Sequence, residues 1–234
     1  MLSTRQEHLL DTIITEYTVS AKPVSSGQLA ELERLDVSPA TVRNDMAVLE
    51  ETGYLHQPHT SAGRIPTEMA WRWFVQRVVP ETQIGKRERD HLTSVARAHR
   101  DSEQEMLRKL AKALAEIIEE AVIVAFDKTD TYYTGLSNLF QQPEFEDINI
   151  LQNLSKVVDH LDEVMAGMYG RIGNDVSVLV GRDNPFSSSC GTLLGRYSMA
   201  KNSTGVIAFL GPMRQDYGEH MAILRYTQSL LQTV

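Results

Sequence analysis

One stretch limits the folds open to this chain more than any other. It is a helix with both ends written in the sequence, followed at once by a tight loop between two short extended pieces. The start is Ser38-Pro39, preceded by Val37. A serine at the N-cap accepts from an orphan backbone N–H, and a proline at the first helical position forfeits no hydrogen bond. The helix is predicted to run to about Thr52 and to stop at Gly53, a residue suited to the left-handed position after a helix. Tyr54 to Gln57 and Arg64 to Pro66 read as extended, and PHTSAG between them is rich in turn formers. Upstream, Leu9, Leu10, Ile13, Ile14 and Tyr17 form a helical apolar stripe over residues 3–17. Ala21-Lys22-Pro23 breaks it, and Val24-Ser25-Ser26 opens a short second helix through Leu29 and Leu32. Three helices and a small hairpin outline a winged helix-turn-helix over residues 1–80.

The third helix can be resolved by angle, at about 100° per residue. Val42, Met46 and Leu49 share one side and form its core stripe. Ala40, Arg43, Asn44 and Ala47 share the opposite side near its leading end. Small alanines let a helix sit deep in a groove, Arg pairs bidentately with guanine, and Asn pairs with adenine. Asp45 points nearer the core, while Glu50 and Glu51 lie at the far end, away from a duplex entered by the leading end. The loop offers His59, Thr60, Ser61 and Arg64 with little bulk and no acid. Its hydroxyls suit phosphate oxygens, and Arg64 could enter a minor groove.

Charge does not supply this affinity in bulk. The chain carries 23 Lys+Arg against 31 Asp+Glu, a net charge of −8. Residues 1–80 hold 7 basic and 10 acidic side chains. Binding to DNA must therefore come from geometry and a few placed groups. A single cysteine, Cys190, excludes an internal disulfide framework, and no Cys/His set has zinc spacing. The longest apolar run, Ala121 to Phe126, is far too short to cross a bilayer, and the polar N-terminus reads as lacking a signal peptide. A cytoplasmic protein with no membrane partner is expected.

Beyond the hairpin, residues 67–79 read as helix, with Trp71, Phe74, Val75 and Val78 facing a core, and Pro80 to Lys86 as a boundary. Residues 87–120 read as one long charged helix, a connector that could also serve a dimer. Its broken stripe includes Leu92, Val95, Leu107, Leu110, Leu114, Ile117 and Ile118. The remainder changes character. Ala121 to Phe126 is a buried-strand pattern, and Ile148 to Met168 an amphipathic helix. Strands are predicted at Val176 to Val180, Thr192 to Ala200 and Gly205 to Leu210, with a turn at Lys201-Asn202-Ser203-Thr204, and Tyr217 to Leu231 closes as helix. The fold class is α+β, divided as 1–80, 81–120 and 121–234.

The 31 residues from Val37 to Thr67, VSPATVRNDMAVLEETGYLHQPHTSAGRIPT, resemble the signature of HrcA-type heat-inducible transcription repressors. The leading LSTRQEHLLDTIITEYTVSAKPVSSGQLAE, the stretch TGLSNLFQQPEFED and the stretch VIAFLGPMRQDYGEHMAILRY are also similar to that family. The resemblance implies a dimeric repressor with an N-terminal winged helix and a GAF-like antiparallel sheet with flanking helices. It implies an inverted-repeat operator upstream of chaperone genes, release on heating, and help from the chaperonin. By position it assigns DNA contacts to Ser38, Thr41, Arg43 and Asn44 in the helix, and to His59, Thr60, Ser61, Gly63 and Arg64 in the wing. Family members run longer, and the shortfall falls between Phe126 and Gly135, where DKTDTYYT stands alone. A truncated sheet is expected there, and the dimer contact must come from the long helix or a sheet edge.

A second reading is a ligand-gated regulator, with a small molecule in the GAF-like domain setting DNA affinity. No cofactor, metal or enzymatic constellation is expected. His8, His91, His99, His160 and His220 read as surface residues, and Cys190 as a loop or strand cysteine. Gly135-Leu136-Ser137-Asn138 reads as packing and Trp71 and Trp73 as core and rim.

Overall fold

A computed structural model describes residues 2–32, 38–77, 83–200 and 203–234. Val37, Val78-Val79 at the end of the expected helix 67–79, Pro80 to Thr82 of the expected boundary, and Lys201-Asn202 of the expected turn lie outside the described residues. The chain divides into two compact units, residues 1–78 and 79–234.

The first unit follows its predicted elements closely. Helix α1 (Thr4–Ser20) begins in a capping box between Ser3 and Gln6. Helix α2 (Ser26–Glu31) begins in a second one, between Ser25 and Gln28. Helix α3 (Pro39–Glu51) starts at Ser38, whose side chain accepts from the Thr41 N–H. It ends as predicted at Gly53, with φ +84°. The Gly53 N–H donates to the Glu50 carbonyl at 3.0 Å and the Tyr54 N–H to the Leu49 carbonyl at 2.8 Å, so two orphan carbonyls are satisfied as the chain reverses. Strands β1 (Leu55–His56) and β2 (Ile65–Pro66) pair antiparallel, and helix α4 (Glu68–Val75) follows. The predicted stripes meet inside: Leu9, Leu10, Ile13 and Ile14 of α1 and Val42, Met46 and Leu49 of α3 are buried, with Leu29, Leu55 and Trp71. Burying such side chains stabilises by about 1.5–3 kcal/mol each.

The second unit is a five-stranded antiparallel sheet between two helical layers. Its elements are α5 (Lys86–Ala98), α6 (Glu103–Ile118), β3 (Ala121–Ala125), β4 (Thr131–Thr134), α7 (Leu136–Phe140), α8 (Ile148–Asp159), α9 (Leu161–Tyr169), β5 (Ser177–Val180), β6 (Cys190–Ser198), β7 (Thr204–Pro212) and α10 (Tyr217–Leu231). The strand order is β4-β3-β7-β6-β5. One face packs Ile123, Leu194, Val206, Ala208 and Leu210 against Leu139, Leu154, Leu161 and Met165 of α7, α8 and α9. The other carries α6 and α10, with α5 packed on both. All five residues of β3 are buried, as a strand covered on both faces requires.

The α+β, GAF-like expectation is met, with three corrections in its elements. The expected long connecting helix over 87–120 is two helices: His99 leaves the helical conformation at φ −121°, and Ser102 caps a new start by accepting from the Glu105 N–H. The polar link Arg100-Asp101 lets α5 fold back onto α6, so both apolar stripes are used inside this unit. The expected helix 148–168 likewise breaks at His160, with φ −120° and ψ 26°. The third correction concerns DKTDTYYT, which is not a bare shortcut. Its TYYT forms β4, and Asp127 closes the turn by accepting from the Thr129 N–H at 2.6 Å, the Thr129 hydroxyl at 2.9 Å and the Asp130 N–H at 2.9 Å. These donors hold the Asp127 carboxyl below its ordinary range. Asx turns of this kind let Asp close a hairpin without a long loop.

His220 is not on the surface. It lies on the α10 side of the sheet, edge-on to Phe209, with its Nδ1 3.2 Å from Gln215 Oε1 and 3.7 Å from Glu120 Oε2. Glu120 is 4% exposed, and its Oε2 has no hydrogen-bond partner among the described residues. Gly211 leaves the room for it, since a Cβ there would fall 2.2–2.4 Å from the carboxyl group. Burial raises Glu120 well above its ordinary 4.5, with nearby Arg214 opposing. Burial lowers His220 to about 4.

The two groups act oppositely on stability. Glu120's contribution is complete below pH 4.5 and is lost as pH rises through its raised folded value. His220 weakens the fold as pH falls from 6.5 towards 4, because the unfolded imidazole takes up a proton that the folded one refuses. Between pH 4.5 and 6.5 the slopes oppose each other. His220→Gln removes one of them, so denaturant melts of the variant should show stability falling with rising pH more steeply than in the parent. Parallel profiles would contradict this assignment.

Candidate nucleic-acid interface

The backbone of the wing is bonded to the helical part of its unit at Val24. The Val24 N–H donates to the Arg64 carbonyl at 2.9 Å, and the Arg64 N–H to the Val24 carbonyl at 2.8 Å. Val24 thus bridges antiparallel to Arg64 and adds a third extended segment beside β2. Gly63 permits the approach, because a Cβ there would lie 2.4 Å from the Val24 carbonyl oxygen. The tip is braced from within: Gln57 Nε2 donates to the Thr60 carbonyl at 3.1 Å and the Ala62 carbonyl at 2.8 Å. Thr67 closes the base, its hydroxyl donating to the Gly53 carbonyl at 2.6 Å.

A cleft of about 340 Å³ lies between the wing and α3, lined by Ser25, Ser26, Arg43 and residues 60–64 with Met46 at its floor. Of the sequence-predicted residues, Arg43, Thr60, Ser61, Gly63 and Arg64 are brought together there. Asn44 is exposed on the outward side of α3, and His59 is exposed at the wing tip. Ser38 and Thr41 face each other across the first turn of α3, their hydroxyls 3.0 Å apart. Both stand at the leading end of α3, and part of their polar capacity serves the cap. Gly63 shapes the wing rather than presenting a group.

Two acids of α3 are neutralised inside the unit. Asp45, buried at its side chain, accepts from Arg5 Nε at 2.6 Å and Nη2 at 3.0 Å, a two-point contact from the start of α1. Glu50 accepts from Arg64 Nε at 2.9 Å, and Arg64 Nη2 lies 2.9 Å from the same oxygen. Arg64 is therefore turned to α3 and not outward as the minor-groove expectation had it. Sequence reasoning missed Glu50's partner, the Gln57 brace and the lining serines. The signal for the first was available: Arg64 is the only Lys or Arg between Asn44 and Trp71.

These features define a winged helix-turn-helix protein joined to an α+β second unit. The chain belongs to the HrcA family: the model of the HrcA protein C-terminal domain matches residues 75–221, and a DeoR-like helix-turn-helix domain matches residues 5–68. The heat-inducible transcription repressor HrcA of Syntrophobacter fumaroxidans is 38% identical over 127 residues, which are 54% of this chain and 36% of that protein. The protein of the same name from Lysinibacillus sphaericus is 23% identical over 332 positions, covering 96% of this chain and 95% of that protein. The first match thus spans about a third of its relative. The second exceeds this 234-residue chain by about a hundred positions, so that relative holds sequence with no counterpart here. A crystal structure of a hypothetical protein at 2.2 Å shares the fold, with a TM-score of 0.76 over 99% of this chain and 97% of that one at 18% identity. No described helix is long and apolar enough to cross a membrane.

The close approach at Gly63 yields a direct test. In Gly63→Ala the added methyl meets backbone on the Val24 side, which cannot rotate away. Thermal melting should show a loss of about 1–3 kcal/mol, the usual cost of forcing an atom into a packed site. An unchanged melting temperature would show that the wing is not held at Val24.

Proposed function

We propose that the protein is a sequence-specific transcription repressor of heat-shock or chaperone genes, binding an inverted-repeat operator as a dimer and released on heating. The observation that supports this best is the convergence of Arg43, on the outward leading half of α3 beside the exposed Asn44, with the hydroxyl-bearing wing tip around one open cleft. In this reading Arg43 and Asn44 read base edges in the major groove, Ser38 and Thr41 lie against the adjoining backbone, and His59, Thr60, Ser61, Gly63 and Arg64 form the wing side of the contact. Neutralisation of Asp45 by Arg5 keeps an uncompensated acid off that surface. The names borne by the relatives favour heat as the signal. A cytoplasmic setting, the homodimer and help from the chaperonin belong to the same reading and rest on the family resemblance. With about a hundred family positions absent, the two copies would meet through the α5–α6 surface or an open sheet edge.

Selection of duplexes from random-sequence DNA tests the core of this. The protein should enrich an inverted repeat with half-sites about one helical turn, or a multiple, apart. Enrichment of nothing, or of an unpaired single site, would overturn the reading. On the enriched duplex, Arg43→Ala should cost about 1–3 kcal/mol of discrimination at one base position, and an unchanged preference would remove Arg43 from base reading. Operator release and loss of folded dimer should coincide when followed along one temperature ramp. Release well below any melting or dissociation would refute the stability-based switch.

A further inference from the structure

We propose that Glu50 is a positioning residue for DNA binding: its ion pair with Arg64 fixes the wing against α3, and Arg64 works through that pair rather than by touching phosphate. This rests on the repressor reading and goes beyond it, since it assigns a favourable role to an acid at the edge of a DNA-binding surface. Arg64 is tied at both ends. Its backbone N–H and carbonyl are each bonded to Val24, at 2.8 and 2.9 Å, so the residue cannot slide towards a duplex without breaking the bridge. Its guanidinium presents Nε and Nη2 to one oxygen of Glu50, each at 2.9 Å. The two side chains are half-buried, 22% and 33% exposed, and a phosphate would have to displace a carboxylate already in place. Charge-assisted bonds of this geometry outlast ordinary exposed ion pairs.

The geometric consequence concerns the cleft. Arg43 on α3 and Thr60 to Gly63 on the wing are carried by different elements, and their separation must match the spacing between a base edge and a neighbouring phosphate. Val24 sets one side of the wing and Glu50 the other. Without Glu50 the wing keeps its hinge at Val24 but loses its tie to the helix that reads bases. Removing a negative charge from a DNA-binding unit would ordinarily strengthen binding. Here it should weaken it.

The test measures fluorescence anisotropy of the enriched inverted-repeat duplex across a salt titration, with the full chain, Glu50→Gln, Arg64→Ala and the double variant. Each single variant should bind about tenfold more weakly, the double variant no worse than either, and the dependence of log affinity on log salt should stay parallel to the parent. If Glu50→Gln binds more tightly, or Arg64→Ala flattens the salt slope by about 0.9, Arg64 is a phosphate contact and the proposal falls. The charge-swapped variant with Glu50→Arg and Arg64→Glu guards against a folding defect. It should regain part of the lost affinity if the pair positions the wing, and none if position 64 meets phosphate. Failure of the parent to enrich any duplex would sink the repressor reading, whereas parental binding with a tighter Glu50→Gln would sink only this inference.

Discussion

The DNA-facing geometry depends on the close passage of Gly63-Arg64 against Val24. A two-stranded wing of this size has almost no apolar area of its own and is marginal in isolation. The backbone bonds on either side of Arg64 convert it into part of a three-segment edge, and they form only because residue 63 lacks a side chain. The Gln57 brace, the Thr67 hydroxyl and the Glu50 ion pair each hold the same short ribbon from a further direction. The helix that would read bases is fixed independently, by its buried stripe and by the Arg5–Asp45 contact.

This division makes physical sense for a chain with a net charge of −8. A strongly basic binder can rely on counterion release and tolerate loose geometry. The first unit is net acidic, so whatever affinity it has must come from alignment, with its internal acids paired off rather than left facing a polyanion. The second unit shows a comparable economy. The Asp127 turn lets a short link continue into an edge strand, and α6 and α10 cover one face of the sheet with α5 packed on both.

Much of the first unit was legible in the sequence because its signals are local. Ser38-Pro39 and Gly53 mark helix ends through the conformations those residues favour, and the stripes of α1 and α3 follow from a 3.6-residue period. The Val24 bridge was not legible, since a lone bridging residue leaves no periodic trace. In the second unit, the apolar run of β3 and the strands β6 and β7 could be read directly. The break at His99 could not, because Arg100-Asp101 suits a helix surface as well as a turn. His220 looked like a surface histidine: its burial is created by Glu120 and Phe209, which lie far from it in sequence. Arg64 was found as a cation in the wing, but its direction is a tertiary fact.

Backbone amide shifts of the first unit, recorded while the full chain is titrated with its enriched inverted-repeat duplex, test the central claim most directly. Perturbations should concentrate on residues 38–47 and 57–64, with α1 and α4 responding weakly. A pattern centred on α1, on α4 or on the second unit, with the leading end of α3 unchanged, would contradict it.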